Sequence, residues 1–168
     1  MGMIFNAEES DRLFACNKFR LEQVGSLGHV SMTGQPTPKV EKHKHLGVLL
    51  NRSLTWHDHI NMVDSACAQK VGMLQKLQRK LSSLALQGIY IGAVQPKMEC
   101  ACAVWCRGLI GKLVKLQETF CRQAGVSLPP LQRRFGYHTL LLFYKIRSEV
   151  APTYLSSLLP PPVPSSDF

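Results

Sequence analysis

The chain has 168 residues, 45% hydrophobic and 18% charged, with a net charge of +9. That length can bury one core, and that balance excludes an intrinsically disordered polypeptide. No apolar run approaches the ~20 residues needed to span a bilayer, so no membrane partner is expected.

The charge is unevenly placed. Residues 1–64 carry seven Lys/Arg against seven Asp/Glu, whereas residues 65–148 carry thirteen against two, a net of +11. A basic block confined to one part of a chain points to a polyanion, with nucleic acid first and an anionic surface second. The opening "MGMIFNAEES" lacks the basic start and long apolar run of a signal peptide. Met1-Gly2 does not form a myristoylation signal, because Asn6 stands where Ser or Thr is required. The expectation is a soluble intracellular chain, cytoplasmic or nuclear, with Cys16, Cys67, Cys100, Cys102, Cys106 and Cys121 as free thiols.

In chain order, short strands are expected first. "GMIFN" and "HVSMTG" are bounded by turn formers, and "GQPTP" reads as a loop. Lys42, His43, Lys44 and His45 then stand directly before an apolar, strand-like Leu46–Leu50. These strands are too few to close a sheet, so 3–5 and 46–50 are expected to lack partners and present edges. A helix comes next, with Thr55 as N-cap and Asp58 in the capping-box position. Ile60, Val63, Cys67, Val71, Leu74, Leu77 and Leu81 recur at steps of three and four, which predicts one apolar stripe. Gln69, Lys70, Gln75, Lys76, Gln78, Arg79 and Lys80 form the opposite, basic face.

A second helix, "LALQGIYIGAV", is expected to break at Pro96, with Gly88 and Gly92 allowing a close helix neighbour. "MECACAVWC" comes after it. A third helix is expected to turn Leu109, Leu113, Leu116, Phe120 and Cys121 inward and is stopped by Gly125. After "SLPPLQ" a fourth runs through "FGYHTLLLFYKIRS", with Tyr137, Phe143 and Tyr144 expected in the core, and the tail "LLPPPVPSSDF" is proline-rich. The fold class is therefore α+β, mainly α: short N-terminal antiparallel strands followed by a helical bundle. The domain reading is strands over 1–54, a first helical region over 55–125, a second over 126–159, and a proline-rich tail over 160–168.

Little in the chain points to chemistry. Cys100, Cys102 and Cys106 have the spacing C-x-C-x₃-C rather than paired zinc ligands, and two of them sit one helical turn apart among apolar residues. Core cysteines are the expectation, with no metal and no cofactor. No nucleophile motif, phosphate-cradling glycine loop or Asp-Asp pair is present, so no catalytic residue is assigned. Trp56 and Trp105 read as core anchors rather than base-stacking platforms, and His59 as a residue that orients a helix start.

"GMIFNAEES", "KHKHLGVLLNRSLTWHDHI", "VQPKMECACAVW" and "LQETFCRQAG", in this order, resemble the downstream part of the reverse transcriptase of non-LTR (LINE-type) retrotransposons. "LPPLQRRF" and the helix after it are similar to the stretch beyond that enzyme's thumb. The resemblance implies that Lys44-His45-Leu46-Gly47 is a primer-grip hairpin, with Gly47 allowing close backbone approach and Lys42, Lys44 and His45 meeting phosphates. Residue types alone read Lys44 and His45 as solvated strand-end residues. It further implies that the helices from Asp58 onward form a thumb lying along a template–primer duplex. Lys70, Lys76, Arg79 and Lys80 would then meet A-form backbone. The family's F/Y-A-D-D motif is absent from this sequence, Glu9 occupies the place of a lysine, and Cys100 that of a tyrosine. The resemblance with these departures implies a non-catalytic fragment with non-specific, low-affinity binding of RNA/DNA. The alternative is a helical module that binds protein through an apolar face, or a relic without selected function.

Overall fold

The computed structural model describes residues 11–15, 31–32, 34–107 and 110–160. The expectations for strand 3–5, Glu9, Cys16, Leu109 and the proline-rich tail beyond Pro160 lie outside these residues.

The described chain is α+β and mainly helical. Three two-stranded ladders come first. Arg12–Leu13 (β1) pairs in parallel with Lys39–Val40 (β4), and Ser31–Met32 (β2) pairs antiparallel with Gln35–Pro36 (β3). Part of "GQPTP" is therefore strand rather than loop. Lys42–His45 (β5) pairs antiparallel with Val48–Asn51 (β6), in the register Lys42↔Asn51 to His45↔Val48. The basic cluster is thus itself a strand, and the 46–50 segment has a partner. Leu46 and Gly47 make the two-residue turn, both at positive φ (47° and 86°), as a type I′ hairpin requires. Glycine adopts that conformation freely and leucine does not.

His57–Leu77 (α1) is the central helix. Its start differs from the capping box: Trp56 precedes it at φ 63° and no side chain caps it. Asn51 has captured Thr55 and Asp58 instead. Its side-chain oxygen accepts the Thr55 backbone N–H at 3.2 Å, and its amide donates to Asp58 at 3.1 Å. Ile60, Val63, Cys67, Val71 and Leu74 are buried as the periodicity requires. Leu77 is 39% exposed because the helix ends there. The stripe is covered by the chain's own helices.

Ser83–Ile89 (α2) is next, its N-cap Ser82 accepting the Ala85 N–H at 3.3 Å. Pro96 does not break this segment. A π-helical turn, Tyr90–Val94, leads directly into Gln95–Glu99 (α3). The Gln95 N–H reaches back five residues to the Tyr90 carbonyl, and Pro96 then falls in the first turn of α3, where its missing N–H leaves no hydrogen bond broken. Gly88 and Gly92 are exposed, and an added Cβ would meet nothing within 4 Å. They mediate no close helix contact.

Ala101, at φ 52°, turns the chain into the short Cys102–Trp105 (α4). Gly111–Ala124 (α5) ends at Gly125 in the left-handed conformation, φ 64°, as the sequence indicates. Leu131–Arg147 (α6) begins four residues before "FGYHT" and is followed by a 3₁₀ turn, Thr153–Leu158. The core is held by α1, the π turn, α5 and the buried edge of α6. Trp105 is fully buried, donates its indole N–H to the Cys100 carbonyl at 2.9 Å, and meets His59 and Phe135 edge-on. Trp56 packs against the rim of the same core. Tyr90 stacks on Phe120 with ring centroids 4.4 Å apart. Tyr137, Phe143 and Tyr144 are not core: they are exposed on α6 at 63%, 47% and 65%.

Candidate nucleic-acid interface

Two regions carry the basic residues expected to meet nucleic acid, and α1 separates them. Its 21 residues span roughly 30 Å, with the β5–β6 hairpin at its start and Lys76, Arg79 and Lys80 at its end. These residues do not form a single cluster.

At the hairpin, strand alternation puts Lys42 and Lys44 on one face and His43 and His45 on the other. Much of the charge is already matched. Lys42 Nζ lies 2.9 Å from Asp58, His43 Nδ1 lies 3.0 Å from Asp11, and Arg52 lies 3.5 Å from Glu41. The Lys42 ammonium, then the Asn51 amide, hold the Asp58 carboxyl below the usual carboxylate range. Lys44 and His45 stay exposed beside Leu46, which is 86% exposed, and Gly47.

His59 holds the hairpin in place. It is 2% exposed, and its Nδ1 accepts the Leu49 backbone N–H at 3.1 Å. The ring proton therefore belongs on Nε2, which is buried with no hydrogen-bond partner among the described residues. Burial, and secondarily the charge of Lys97, push this imidazole's pKa down.

At the other end of α1 the charge is unmatched. Lys112 on α5 donates to Asn61 at 2.9 Å, and Gln75 donates to Gln123 at 2.6 Å, so α1 and α5 run parallel. Gln78 also donates to the Gln123 carbonyl. This seam brings Arg122 to the same end as Lys76, Arg79 and Lys80, all four exposed or partly so. No acid pairs with any of them among the described residues, where the ion pairs lie elsewhere. Arg79 and Lys80 stand in the turn after α1 rather than on its face. Lys70 is turned to an internal task, donating at 2.6 Å to the Ala93 carbonyl in the π turn. Arg122 was not among the sequence candidates. The pairing of α1 with α5 is a tertiary fact, although basic steps along α5 were present to be read. The parallel helix ends also concentrate negative dipole character there, so part of this charge stabilises the helices.

The remaining polar groups offer little chemistry. Burial pushes the Cys67 and Cys102 thiols up to about 11, so both stay protonated near neutrality. Cys100 is exposed rather than core, and Cys106 is half-buried with its sulfur 3.7 Å from the Thr139 hydroxyl. Among the described residues, no three His, Cys, Asp or Glu side chains meet in a way that could hold a metal ion. No described helix is long and apolar enough to cross a membrane.

Comparison with protein-family models, curated proteins and solved structures gives no match for this chain. Its function is therefore argued from its own residues.

Proposed function

We propose that this chain is a reverse-transcriptase-like fragment of LINE-type retrotransposon origin, without polymerase activity of its own, that binds RNA/DNA duplex backbone non-specifically. The origin rests on the ordered motif resemblance of the sequence, and the observation that carries the binding is the unpaired group Lys76, Arg79, Lys80 and Arg122 at the parallel ends of α1 and α5. Four cations with no ion-pair partner among the described residues keep a positive field that a phosphate backbone can neutralise. A second contact comes from the hairpin tip, where Lys44 and His45 flank a turn whose backbone is open at Gly47. The two regions lie roughly 30 Å apart along α1, a separation suited to an extended ligand rather than a small one.

The test is fluorescence anisotropy of the whole chain with a labelled RNA–DNA hybrid, titrated from low to physiological salt. Saturable binding whose affinity falls steeply with salt is the expected result. Binding no stronger than that of a control protein of equal net charge would overturn the proposal.

A further inference from the structure

The face of α6 that points away from the core has an unusual composition. Arg133, Tyr137, Leu140, Tyr144 and Arg147 succeed one another at steps of four, three, four and three, which places them on one stripe. All five are exposed, the three central ones at 63%, 69% and 65%. Phe143, 47% exposed, borders the stripe. No Asp or Glu occurs anywhere in α6. A surface helix ordinarily has one apolar face, and α6 already spends one on the core through Leu131 and Phe135. Its second, aromatic face is open.

A cavity of about 500 Å³ opens beside the N-terminal part of this stripe, between α3, the "LPP" bend and α6. Arg133, Arg134, Tyr137 and His138 line it from α6, and Gln95 and Glu99 from α3. Glu99 is held in place by Arg134, whose Nε lies 2.8 Å away, and by His138 at 3.4 Å. The Arg134 contact lacks the alignment of a hydrogen bond, and its terminal nitrogens are covered. A lining that joins the Tyr137 ring to hydrogen-bond donors and acceptors matches a nucleobase, which has a π face and a hydrogen-bonding edge.

We infer that the Arg133–Tyr137–Leu140–Tyr144–Arg147 face of α6 is a binding site for single-stranded nucleic acid, with one base entering the cavity beside Tyr137. The tyrosines receive base faces and the terminal arginines receive phosphates. Charge selects this occupant over others. A second copy of a chain of net charge +9 would bring like charge onto Arg133 and Arg147. The 4-3 spacing is also that of a coiled-coil seam, but such seams place Leu, Ile or Val where this one has two Tyr and two Arg. This inference rests on the nucleic-acid reading of the chain, and it names a second surface and a different strand form from the duplex site at the α1 and α5 ends.

The experiment uses the full chain with a short single-stranded DNA carrying 2-aminopurine, whose fluorescence is quenched on stacking, alongside the RNA–DNA hybrid. The wild type should quench the probe. A Tyr137→Ala/Tyr144→Ala variant should bind the strand about tenfold or more weakly while keeping its hybrid affinity, and Tyr137→Phe/Tyr144→Phe should retain strand binding. These positions are exposed, and unchanged far-ultraviolet circular dichroism confirms that each variant is folded. Hybrid binding without quenching of the strand probe overturns the inference and leaves the proposed function standing. Failure to bind either probe overturns both. Strand affinity unaffected by the double alanine variant overturns the inference. So does concentration-dependent self-association without quenching, which would make the face a protein interface.

Discussion

Leu49 donates its backbone N–H to Nδ1 of His59 at 3.1 Å, which fastens the second strand of the basic hairpin to the first turn of α1. The bond needs an imidazole with a free lone pair on Nδ1, so it exists only while His59 is neutral. Burial already holds this pKa below its ordinary 6.5. The unfolded chain therefore takes up a proton that the folded chain resists. The contribution to stability is complete above about pH 6.5 and is lost as the pH falls below it. Urea denaturation at about pH 7.5 and about pH 5 should show this loss in the wild type, and His59→Ala should remove that part of the pH dependence. The same variant should cost about 2–4 kcal/mol at neutral pH, from the cavity and the orphaned N–H. A pH profile unchanged by the substitution would show that other groups set it.

The duplex reading predicts how salt dependence divides between the two basic regions. Replacing Lys76, Arg79 and Lys80 by Gln should reduce the slope of log affinity against log salt by about 2–3, at roughly 0.9 for each phosphate no longer neutralised. Adding Arg122→Gln should reduce it further. Lys42→Gln should change it little, because Asp58 already engages that ammonium. An unaltered slope in the triple variant would sink the assignment of this end of the molecule.

Glu99 and Arg134 form the least exposed ion pair among the described residues, with side chains 15% and 11% exposed. Removing the carboxylate strands a covered guanidinium whose terminal nitrogens already lack acceptors. Glu99→Ala should therefore cost about 2–4 kcal/mol, and Glu99→Ala/Arg134→Met appreciably less than the single change. Equilibrium unfolding of the two variants measures this. Equal losses would mean that packing, not charge, dominates at this position.

The hairpin turn makes an opposite pair of predictions. Leu46 is exposed and held at φ 47°, a conformation that asparagine tolerates better, so Leu46→Asn should stabilise the chain by about 0.5–1 kcal/mol. Gly47→Ala, at φ 86°, should destabilise it by about 1 kcal/mol although there is open space for the methyl group. Thermal melts decide both. A stabilised Leu46→Asn that also binds the RNA–DNA hybrid less tightly would place the leucine itself at the nucleic acid.

Local pattern carried much of the helical region. The steps from Ile60 to Leu74 and the Gly125 stop are written in spacing and in backbone freedom, and Trp105 is at the centre of the core as its size demands. The misreadings share one cause. The capping box at Thr55 lost to Asn51, a residue on a strand whose position the helix pattern does not contain. Pro96 passed without a break because a π turn shifted the hydrogen-bond register just ahead of it. Tyr137 and Tyr144 have helical spacing, but spacing cannot say which of two apolar faces meets the core.

The sequence by itself determined the mainly helical class, the buried stripe of α1 and the concentration of positive charge after residue 64, because each depends on residue type and on intervals of a few positions. Tertiary structure alone decided which charges are spent and which are free. Lys42 finds Asp58 sixteen residues away, and Lys70 finds a carbonyl in the π turn. Arg122 joins Lys76, Arg79 and Lys80 only because α1 and α5 lie parallel. Coulomb interactions depend on distance in space, and distance along the chain does not supply it.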